Sequence, residues 1–296
     1  MNNNVHILYS DSIQKCPLLA DESVHLAVTS PPYFNAPFDS PDSFASYEEY
    51  TDMLYNVFEE CYRVLVPGRI CSIVVDDMLV NGKKYPIVAD VTRLCEGMGF
   101  TYRDRIIWRK PEGYIRISRR SGVFIQHPYP MYFYPDNLNE SILIFQKGKF
   151  EYSAVDPALK EASKLDTGEW QDGKWYLSEW DIANVTPRKD KPDVAEFPNE
   201  IPYRLIKLFS YRGDLVLDPF AGTFTTGIAA SQLDRSSIGY EISEGARAAA
   251  MEKWRRNGMG FLDMKLGGSG VSIKVAGSDP LLVLPILEGF NELVLG

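Results

Sequence analysis

The tetrapeptide Ser30-Pro31-Pro32-Tyr33 places a hydroxyl, a restricted backbone carbonyl and an aromatic ring next to one another. It follows residues 24–28, an apolar segment that predicts a short buried strand. Ligands of parallel α/β sheets bind beyond the carboxyl ends of such strands. Because proline fixes φ, the Pro31 carbonyl would be held rigidly. The tetrapeptide is therefore either part of a ligand site or a Pro-Pro turn with Tyr33 packed on the surface.

These residue types suit a reaction at the exocyclic amino group of a nucleobase. The exocyclic nitrogen of cytosine or adenine is a poor nucleophile because its lone pair is delocalised into the ring. The Ser30 hydroxyl and the Pro31 carbonyl could accept hydrogen bonds from its two N–H groups and free that lone pair. Tyr33 could stack on a base extruded from the duplex. We interpret Ser30, Pro31, Pro32 and Tyr33 as candidate catalytic residues.

A second candidate site directly follows the apolar strand segment 215–217. A strand, a glycine-containing turn and a helix together form the nucleoside-binding unit of Rossmann-like sheets. Glu241 ends the next predicted strand, about 20 residues after the loop, where an acid can accept hydrogen bonds from ribose hydroxyls. The G-x-G-x-x-G pattern is absent, which disfavours hydride transfer, and a purely structural turn is the alternative. The candidate cofactor residues of this unit are Asp218, Pro219, Phe220, Ala221, Gly222, Thr223, Thr225, Thr226 and Glu241.

Positive charge is concentrated between Arg103 and Arg120, where seven Arg and Lys residues face only two acids. Such a run is a candidate phosphate-facing surface, and an ordinary solvated strand edge is the alternative. The net charge of -9 argues against non-specific coating of nucleic acid but leaves room for a local basic groove.

The remaining chain alternates predicted strands and helices, which indicates an α/β fold with a largely parallel sheet. Ser46 and Glu49 form a predicted capping box for a helix that Pro67-Gly68 would end. Further strands are predicted at residues 5–9, 70–75, 102–108, 141–145 and 237–240, and further helices after Pro86, at residues 201–209, around Ala229 and from Ser243 to about Asn257. Residues 112–139 and 150–192 lack periodicity, and irregular stretches of this length are usually functional insertions.

Together these segments resemble the amino-type DNA methyltransferases in their permuted, beta-class arrangement, over roughly residues 5–257. In that family an S/D-P-P-Y motif precedes the cofactor loop, as Ser30 precedes Asp218 here. Further matching segments are Tyr9-Ser10-Asp11, Ile107-Trp108-Arg109-Lys110, Glu140 to Gly148, Phe197-Pro198 and Arg235 to Glu241. The resemblance implies a Rossmann-like, S-adenosylmethionine-dependent methyltransferase fold. It also implies that Asp11 lies near the adenine or amino group of the cofactor and Phe197 beside its methionine part. Where the family loop usually carries a second glycine, this chain has Phe224.

The resemblance also implies a division of the chain. Residues 1–111 would form the catalytic half, 112–190 a target-recognition insert, and 191–258 the cofactor-binding half. No role is assigned to the tail, 259–296. A recognition insert after Glu112 favours DNA contact by the basic run, with Arg116, Arg119 and Arg120 as candidate DNA-binding residues. Double-stranded DNA is the expected partner, and a cognate restriction endonuclease is the further partner that a restriction–modification role would bring.

The choice of target base follows from the resemblance. The stretch Val28-Thr29-Ser30-Pro31-Pro32-Tyr33 is similar to the signature of the cytosine-N4 branch, whereas adenine-N6 enzymes more often begin the tetrapeptide with Asp or Asn. Adenine-N6 methylation of DNA and a non-catalytic DNA-binding module with the same fold are the alternatives. Cysteine-based chemistry at cytosine C5 is disfavoured because no cysteine follows a proline.

Composition is that of an ordinary globular protein, with 45% hydrophobic and 24% charged residues in 296. The four cysteines are widely spaced and only three histidines are present, so we expect reduced core thiols and no metal site. No signal peptide is predicted, because Met1-Asn2-Asn3-Asn4 is polar and uncharged where a basic region would stand. No membrane span is predicted, because the apolar run 281–287 is short and broken by Pro285. We expect a cytoplasmic protein, and the composition leaves its oligomeric state open.

Overall fold

The computed structural model describes residues 4–13, 19–36, 43–111, 125–133, 135, 137–184, 197–267 and 270–276. Its strands are β1 (His6–Tyr9), β2 (Val24–Thr29), β3 (Leu65–Val75), β4 (Met78–Val80), β5 (Lys83–Tyr85), β6 (Phe100–Arg109), β7 (Asn139–Lys147), β8 (Glu179–Asp181), β9 (Leu215–Asp218), β10 (Ser236–Tyr240), β11 (Phe261–Gly267) and β12 (Gly270–Ala276). Its helices are α1 (Tyr47–Val64), α2 (Ile87–Gly97), α3 (Pro157–Ala162), α4 (Thr167–Asp172), α5 (Glu200–Phe209), α6 (Thr225–Gln232) and α7 (Glu244–Arg256).

Ten of these strands form one sheet in the order β12-β11-β1-β10-β9-β2-β3-β7-β6-β8. The six strands from β11 to β3 are mutually parallel, whereas β12 and β7 run antiparallel to their neighbours. Strands β2 and β9 are neighbours although their facing ends are 189 residues apart in the chain. The predicted α/β fold with a largely parallel sheet is thereby confirmed.

Helices cover both faces of the sheet. Within β9, Leu215 and Leu217 pack with α1 and α2, while Val216 packs with α5 and α6 on the other face. Burial on both faces explains why the central strands are continuous apolar runs in the sequence. The same faces bury Cys61, Cys71 and Cys95 as free thiols, as predicted, and Cys16 lies outside the described residues.

The start of α1 confirms the predicted capping box, but its predicted end is wrong. The Ser46 hydroxyl accepts a hydrogen bond from the Glu49 N–H, and the Glu49 carboxylate accepts one from the Ala45 N–H. The helix ends at Val64 and β3 begins at once, so Pro67-Gly68 lies inside a strand. There the pairing with β2 shifts register, and the φ of +87° at Gly68 accommodates this irregularity.

Two segments for which the sequence pattern predicted no helix or strand contain regular secondary structure. Between residues 150 and 184 the chain forms α3 and α4, capped by Asp156 and Asp166, and then β8, which joins the sheet beside β6. Helices of six residues are too short to show an apolar period. In the tail, β11 pairs in parallel with β1 and antiparallel with β12, so it extends the sheet.

The described residues include no helix long and apolar enough to cross a membrane. In the same part of the chain, no group of three or more His, Cys, Asp or Glu side chains is arranged to hold a metal ion.

Candidate active site

The two sequence motifs leave the sheet at the same edge, side by side. Strands β2 and β9 are parallel and pair Leu26 with Val216 and Ala27 with Leu217. The S-P-P-Y motif follows β2 directly, and the loop from Pro219 to Thr223 follows β9, whose last residue is Asp218. The structure thus brings together the two candidate sites that the sequence analysis identified separately.

Asp218 fastens the loop to both neighbouring elements. Its Oδ1 accepts a hydrogen bond from Thr29 Oγ1 of β2 at 2.7 Å, and its Oδ2 accepts one from Thr226 Oγ1 of α6 at 2.6 Å. The Phe220 N–H also donates to Oδ1, at 3.2 Å. The side chain is buried, and burial raises the pKa of the Asp218 carboxyl to about 6 against the opposing effect of these donors. Thr29, which the sequence analysis did not select, thereby joins the strand that leads into the S-P-P-Y motif to the strand that leads into the loop over Gly222.

Asp218→Asn is expected to remove part of the pH dependence of folding stability. Because the folded-state pKa is raised, the protonated carboxyl contributes stability that is fully present below about pH 4 and lost as the pH rises through about 6. Urea unfolding between pH 4 and 7 should show the wild type losing stability relative to the variant. The exposed Asp52→Asn variant serves as control, and wild-type and Asp218→Asn curves that stay parallel would contradict this expectation.

Glu241 closes the other side of the loop. Its Oε2 accepts a hydrogen bond from the Gly222 N–H at 2.8 Å, and its Oε1 accepts one from the Ser243 N–H at 2.7 Å. The side chain is half-buried, and burial raises the pKa of its carboxyl. Since a carboxylate offers about four acceptor positions, both oxygens can accept further hydrogen bonds from a ligand.

Space for a ligand lies over this turn. A Cβ built on Gly222, whose φ is +53°, would meet no atom within 4 Å. Ile242, next to Glu241, is 72% exposed and presents an apolar surface beside this turn. An open turn, a carboxylate with further acceptor positions and an exposed apolar side chain fit a nucleoside, because its ribose is polar and its base is flat and largely apolar.

Asp11 and Phe197 lie on elements that reach the same edge. Asp11 follows β1, which pairs with β10, and the Glu241 N–H donates to the Tyr9 carbonyl at 2.9 Å. Asp11 and Glu241 therefore stand at neighbouring strand ends. Phe197 precedes α5 and packs, half-buried, against the cluster that contains Val28 of β2.

The threonines of the loop are buried and bonded inside the protein. Lys253 of α7 donates to Thr225 Oγ1 at 2.6 Å and to Thr223 Oγ1 at 3.2 Å. Thr226 donates to Asp218, as described above. These three side chains therefore hold the loop between α6 and α7, and their predicted contact with a cofactor would be made through the backbone.

Phe224 occupies the place where the resembling family usually has a glycine. Its φ is +57°, in the left-handed region that favours glycine. The ring is fully buried on the far side of the loop, stacked on Trp254 with centroids 5.3 Å apart. A Cβ on Gly227 or Gly239 would come within 2.7 Å of this ring. Phe224 therefore fills the core beneath the loop and leaves the open side over Gly222 free.

The S-P-P-Y motif itself is partly accessible. Ser30, Pro32 and Tyr33 are half-buried and Pro31 is buried. Within the described part of the chain, neither the Ser30 hydroxyl nor the Pro31 carbonyl has a hydrogen-bonding partner. Both acceptors are thus available to an amino group. Burial, reinforced by the negative charge of Glu140, raises the pKa of the Tyr33 phenol well above its usual value.

Asp76 is a further acid at this edge that sequence reasoning missed. It follows β3, the strand next to β2, and its negative charge acts on Tyr33. Burial, reinforced by the nearby Glu140, raises the pKa of Asp76 to about 7. Asn137 donates a hydrogen bond to its Oδ2. The available signal was its position, because it directly follows the predicted strand 70–75.

The predicted DNA-binding residues Arg116, Arg119 and Arg120 lie outside the described residues. The described members of the basic run are partly engaged within the protein. Arg109 pairs with Glu179 at 2.9 Å and with Asp181, and Lys110 pairs with Glu140. The guanidinium of Arg103 lies 5.6 Å from the ring centre of Phe209.

Comparison with known proteins identifies the family to which this chain belongs. Residues 24–252 match the profile of a family described as DNA methylase, the N6/N4 methyltransferases, and the match contains the S-P-P-Y motif, the loop and Glu241. The chain belongs to this family. The methyltransferase is 35% identical to the type II methyltransferase M.MjaI of Methanocaldococcus jannaschii over 300 residues, which cover 88% of this chain and 96% of that one.

Two further similarities concern the cofactor and the base. A structure from Thermus thermophilus, assigned as a DNA modification methylase and complexed with S-adenosyl-L-methionine, is 32% identical with a TM-score of 0.71 and covers 90% of this chain and all of that one. The DNA adenine methyltransferase YhdJ of Escherichia coli is 27% identical over 80% of this chain and 78% of its own length. The protein is therefore an S-adenosylmethionine-dependent DNA methyltransferase with the predicted fold, and its relatives leave the target base open.

Proposed function

We propose that this methyltransferase transfers the methyl group of S-adenosylmethionine to N4 of a cytosine flipped out of duplex DNA. The observation that carries the proposal is the hydrogen bond from Thr29, the last residue of β2, to Asp218, the last residue of β9. It joins a motif that suits an amino nucleophile to an open turn that suits a nucleoside. Holding the reacting groups in such proximity lowers the entropic part of the activation barrier.

The residues of the motif have distinct tasks in this proposal. The bound cofactor supplies an electrophilic methyl group. The Ser30 hydroxyl and the Pro31 carbonyl each accept a hydrogen bond from one N–H group of the target amine. These two hydrogen bonds turn the nitrogen lone pair out of conjugation with the ring. Tyr33 stacks on the flipped base, while Pro31 and Pro32 keep the backbone between acceptor and ring rigid.

The nitrogen must also lose a proton when it gains the methyl group. A serine hydroxyl is a poor proton acceptor, whereas a carboxylate with a pKa near 7 suits this task at neutral pH. Burial raises the pKa of Asp76 to about 7, and Asp76 follows β3, the strand beside the one that leads into the S-P-P-Y motif. We assign proton acceptance to Asp76.

Cofactor binding is assigned to the loop and the strand ends around it. Glu241 accepts hydrogen bonds from the ribose hydroxyls of the cofactor, and Ile242 lies against its adenine. Asp11 lies near the adenine or the amino group, and Phe197 lies beside the methionine part. The backbone of Pro219, Phe220, Ala221 and Gly222, held by Asp218 and the loop threonines, forms the floor.

Glu241→Ala is expected to weaken S-adenosylmethionine binding by about 1–3 kcal/mol, because two ribose hydroxyls lose their acceptor. Isothermal titration calorimetry of wild type and variant measures the difference. Glu244→Ala, an exposed acid in the first turn of α7, is the matched control. If the affinity of Glu241→Ala equals that of the control, Glu241 has no place in the site.

DNA contact is assigned to Arg116, Arg119 and Arg120. Neutralising one of them should reduce the slope of log affinity against log salt concentration by about one unit, because one fewer counterion is released. Arg256→Ala, on α7 and paired with Glu252, is the control. Slopes that are equal for Arg119→Ala, the control and wild type would make the cluster an ordinary solvated surface.

Cytosine is preferred over adenine because the motif begins with Ser30, as in the cytosine-N4 branch that the sequence resembles, whereas the adenine branch mostly carries a carboxylate there. Adenine-N6 transfer by the same apparatus is the second candidate, and the similarity to an adenine methyltransferase favours it. The similarity to a type II methyltransferase supports a role in self-protection beside a cognate restriction endonuclease, and an orphan modifier is the alternative.

Expression in a host that lacks DNA methylation, followed by single-molecule sequencing, tests the proposal. A recurrent sequence carrying modified cytosine is the expected result and would also give the recognition site. Unmodified DNA, from cells shown to contain folded protein, would contradict the assigned activity.

A further inference from the structure

Asn35 stands two residues after the S-P-P-Y motif, and its side chain is bonded to the backbone of Phe44. Its Nδ2 donates a hydrogen bond to the Phe44 carbonyl at 2.8 Å, and its Oδ1 accepts one from the Phe44 N–H at 2.8 Å. Phe44 lies three residues before Tyr47, where α1 begins. The two hydrogen bonds therefore tie the chain that leaves the motif to the chain that enters α1. The sequence analysis selected neither residue.

An asparagine suits this position for two reasons. Its amide presents a donor and an acceptor side by side, so it can exchange both hydrogen bonds with one backbone residue, as paired residues of an antiparallel sheet do. The φ of Asn35 is +41°, in the left-handed region that asparagine adopts more readily than most residues. Glycine meets the second requirement and fails the first. A single substitution can therefore remove the hydrogen bonds without straining the backbone.

Phe34, the residue directly after the motif, is fixed by aromatic packing. Its ring is buried, with its centre 5.1 Å from that of Tyr47 of α1 and 4.8 Å from that of Tyr85 of β5, and both contacts are edge-to-face. The Tyr47 hydroxyl donates in turn to Asp90 Oδ2 of α2 at 2.7 Å. The chain after the motif is thus attached to a network that includes α1, α2 and β5.

The motif contributes little to its own fixation. Pro31 and Pro32 have no N–H group, so two of its four residues cannot donate a backbone hydrogen bond. Its upstream end is held by the hydrogen bond from Thr29 to Asp218 at 2.7 Å. The hydrogen bonds of Asn35 supply an anchor at the downstream end. A displacement of about 1 Å at a reacting group can lower a rate about 100-fold, so the position of both ends matters for the reaction.

We propose that Asn35 is a positioning residue for methyl transfer. Its two hydrogen bonds to Phe44 hold the downstream end of the S-P-P-Y motif, and with it the Pro31 carbonyl and the Tyr33 ring, in the reactive position. Asn35 acts through the motif and is assigned no contact with the base or the cofactor. The inference rests on the proposed catalytic role of the motif and is independent of whether the base is cytosine or adenine.

Asn35→Gly tests the inference, because glycine adopts the same φ and removes both hydrogen bonds. Single-turnover transfer of radiolabelled methyl groups is measured at saturating S-adenosylmethionine and DNA, below the unfolding transition. The variant should be slower by roughly ten- to 100-fold, because its motif is held firmly at one end only. Its affinity for S-adenosylmethionine, measured by calorimetry, should stay nearly unchanged, because Asn35 follows β2 whereas the open turn follows β9.

Asn81→Gly is the matched control. Asn81 also has a left-handed φ, +48°, but it is exposed in the turn between β4 and β5. The control makes the same chemical change away from the motif, so it should keep the wild-type rate. The melting temperatures of both variants are recorded, and rates are compared for folded protein only.

An Asn35→Gly enzyme that transfers methyl groups as fast as the control would overturn the inference. With a lowered melting temperature, that result would show that the two hydrogen bonds stabilise the fold and position nothing. A loss of cofactor affinity as large as the loss of rate would also overturn it, because the damage would then extend beyond the motif. A wild type that transfers no methyl group to DNA would show instead that the proposed function has failed, so the two failures are distinguishable.

Discussion

Ser30→Ala is expected to lower methyl transfer by about 100-fold or more, the range observed when one acceptor or donor to a transition state is removed. Cofactor affinity should stay nearly unchanged, because Ser30 follows β2 while the open turn follows β9. Steady-state kinetics and calorimetry on the same preparation measure the two quantities.

Ser23→Ala is the matched control, since its hydroxyl donates to the Ala20 carbonyl at the opposite end of β2. It should keep the wild-type rate. A Ser30→Ala enzyme that turns over as fast as this control would remove the hydroxyl from the mechanism and leave the S-P-P-Y motif as a structural turn.

Asp76→Asn is expected to lower the transfer rate by about 100-fold or more, as loss of a general base does. The sign of the pH dependence follows from the raised pKa, since Asp76 retains its proton up to about pH 7 and only the deprotonated form accepts another. The wild-type rate should therefore rise with pH through about 7 and then level off, and this rise should be absent in the variant.

Asp77→Asn provides the control for that profile. The Asp77 carboxylate accepts a hydrogen bond from the Val88 N–H in the first turn of α2, so its loss should affect stability. The rise of the rate with pH should remain, at a slightly lower pH, because the negative charge of Asp77 contributes to the raised pKa of Asp76. An Asp76→Asn enzyme that retains the rise would assign the titration to another group.

The elements around the site could be predicted where the sequence signal is local. Buried strands such as residues 24–28 and 215–217 read as apolar runs because both faces of the sheet are covered. The cap at Ser46 depends on residues three apart, and it was predicted correctly. Strand β11 was missed because Asp263 and Lys265 interrupt its apolar residues, so it does not form a continuous apolar run. The helix α3 was missed because six residues are too few to show an apolar period.

Contacts between distant segments could not be predicted in this way. Asp76 and Glu140 meet near Tyr33 only because β7 pairs with β3 in a register that places Val75 opposite Ser141. Nothing in the sequence near either acid indicates that register. The direction of the Phe224 ring could not be predicted from the sequence either, because it depends on a left-handed φ that turns the ring towards Trp254 and away from the open side of the loop.

The identity of the methylated base tests the central claim most directly. Purified protein, S-adenosylmethionine and unmodified DNA are incubated together, the DNA is digested to nucleosides, and the products are separated by mass spectrometry. We expect N4-methylcytosine among the nucleosides. N6-methyladenine alone would contradict the base assignment while preserving the mechanism, and the absence of both from a reaction with folded, cofactor-binding protein would contradict the account as a whole.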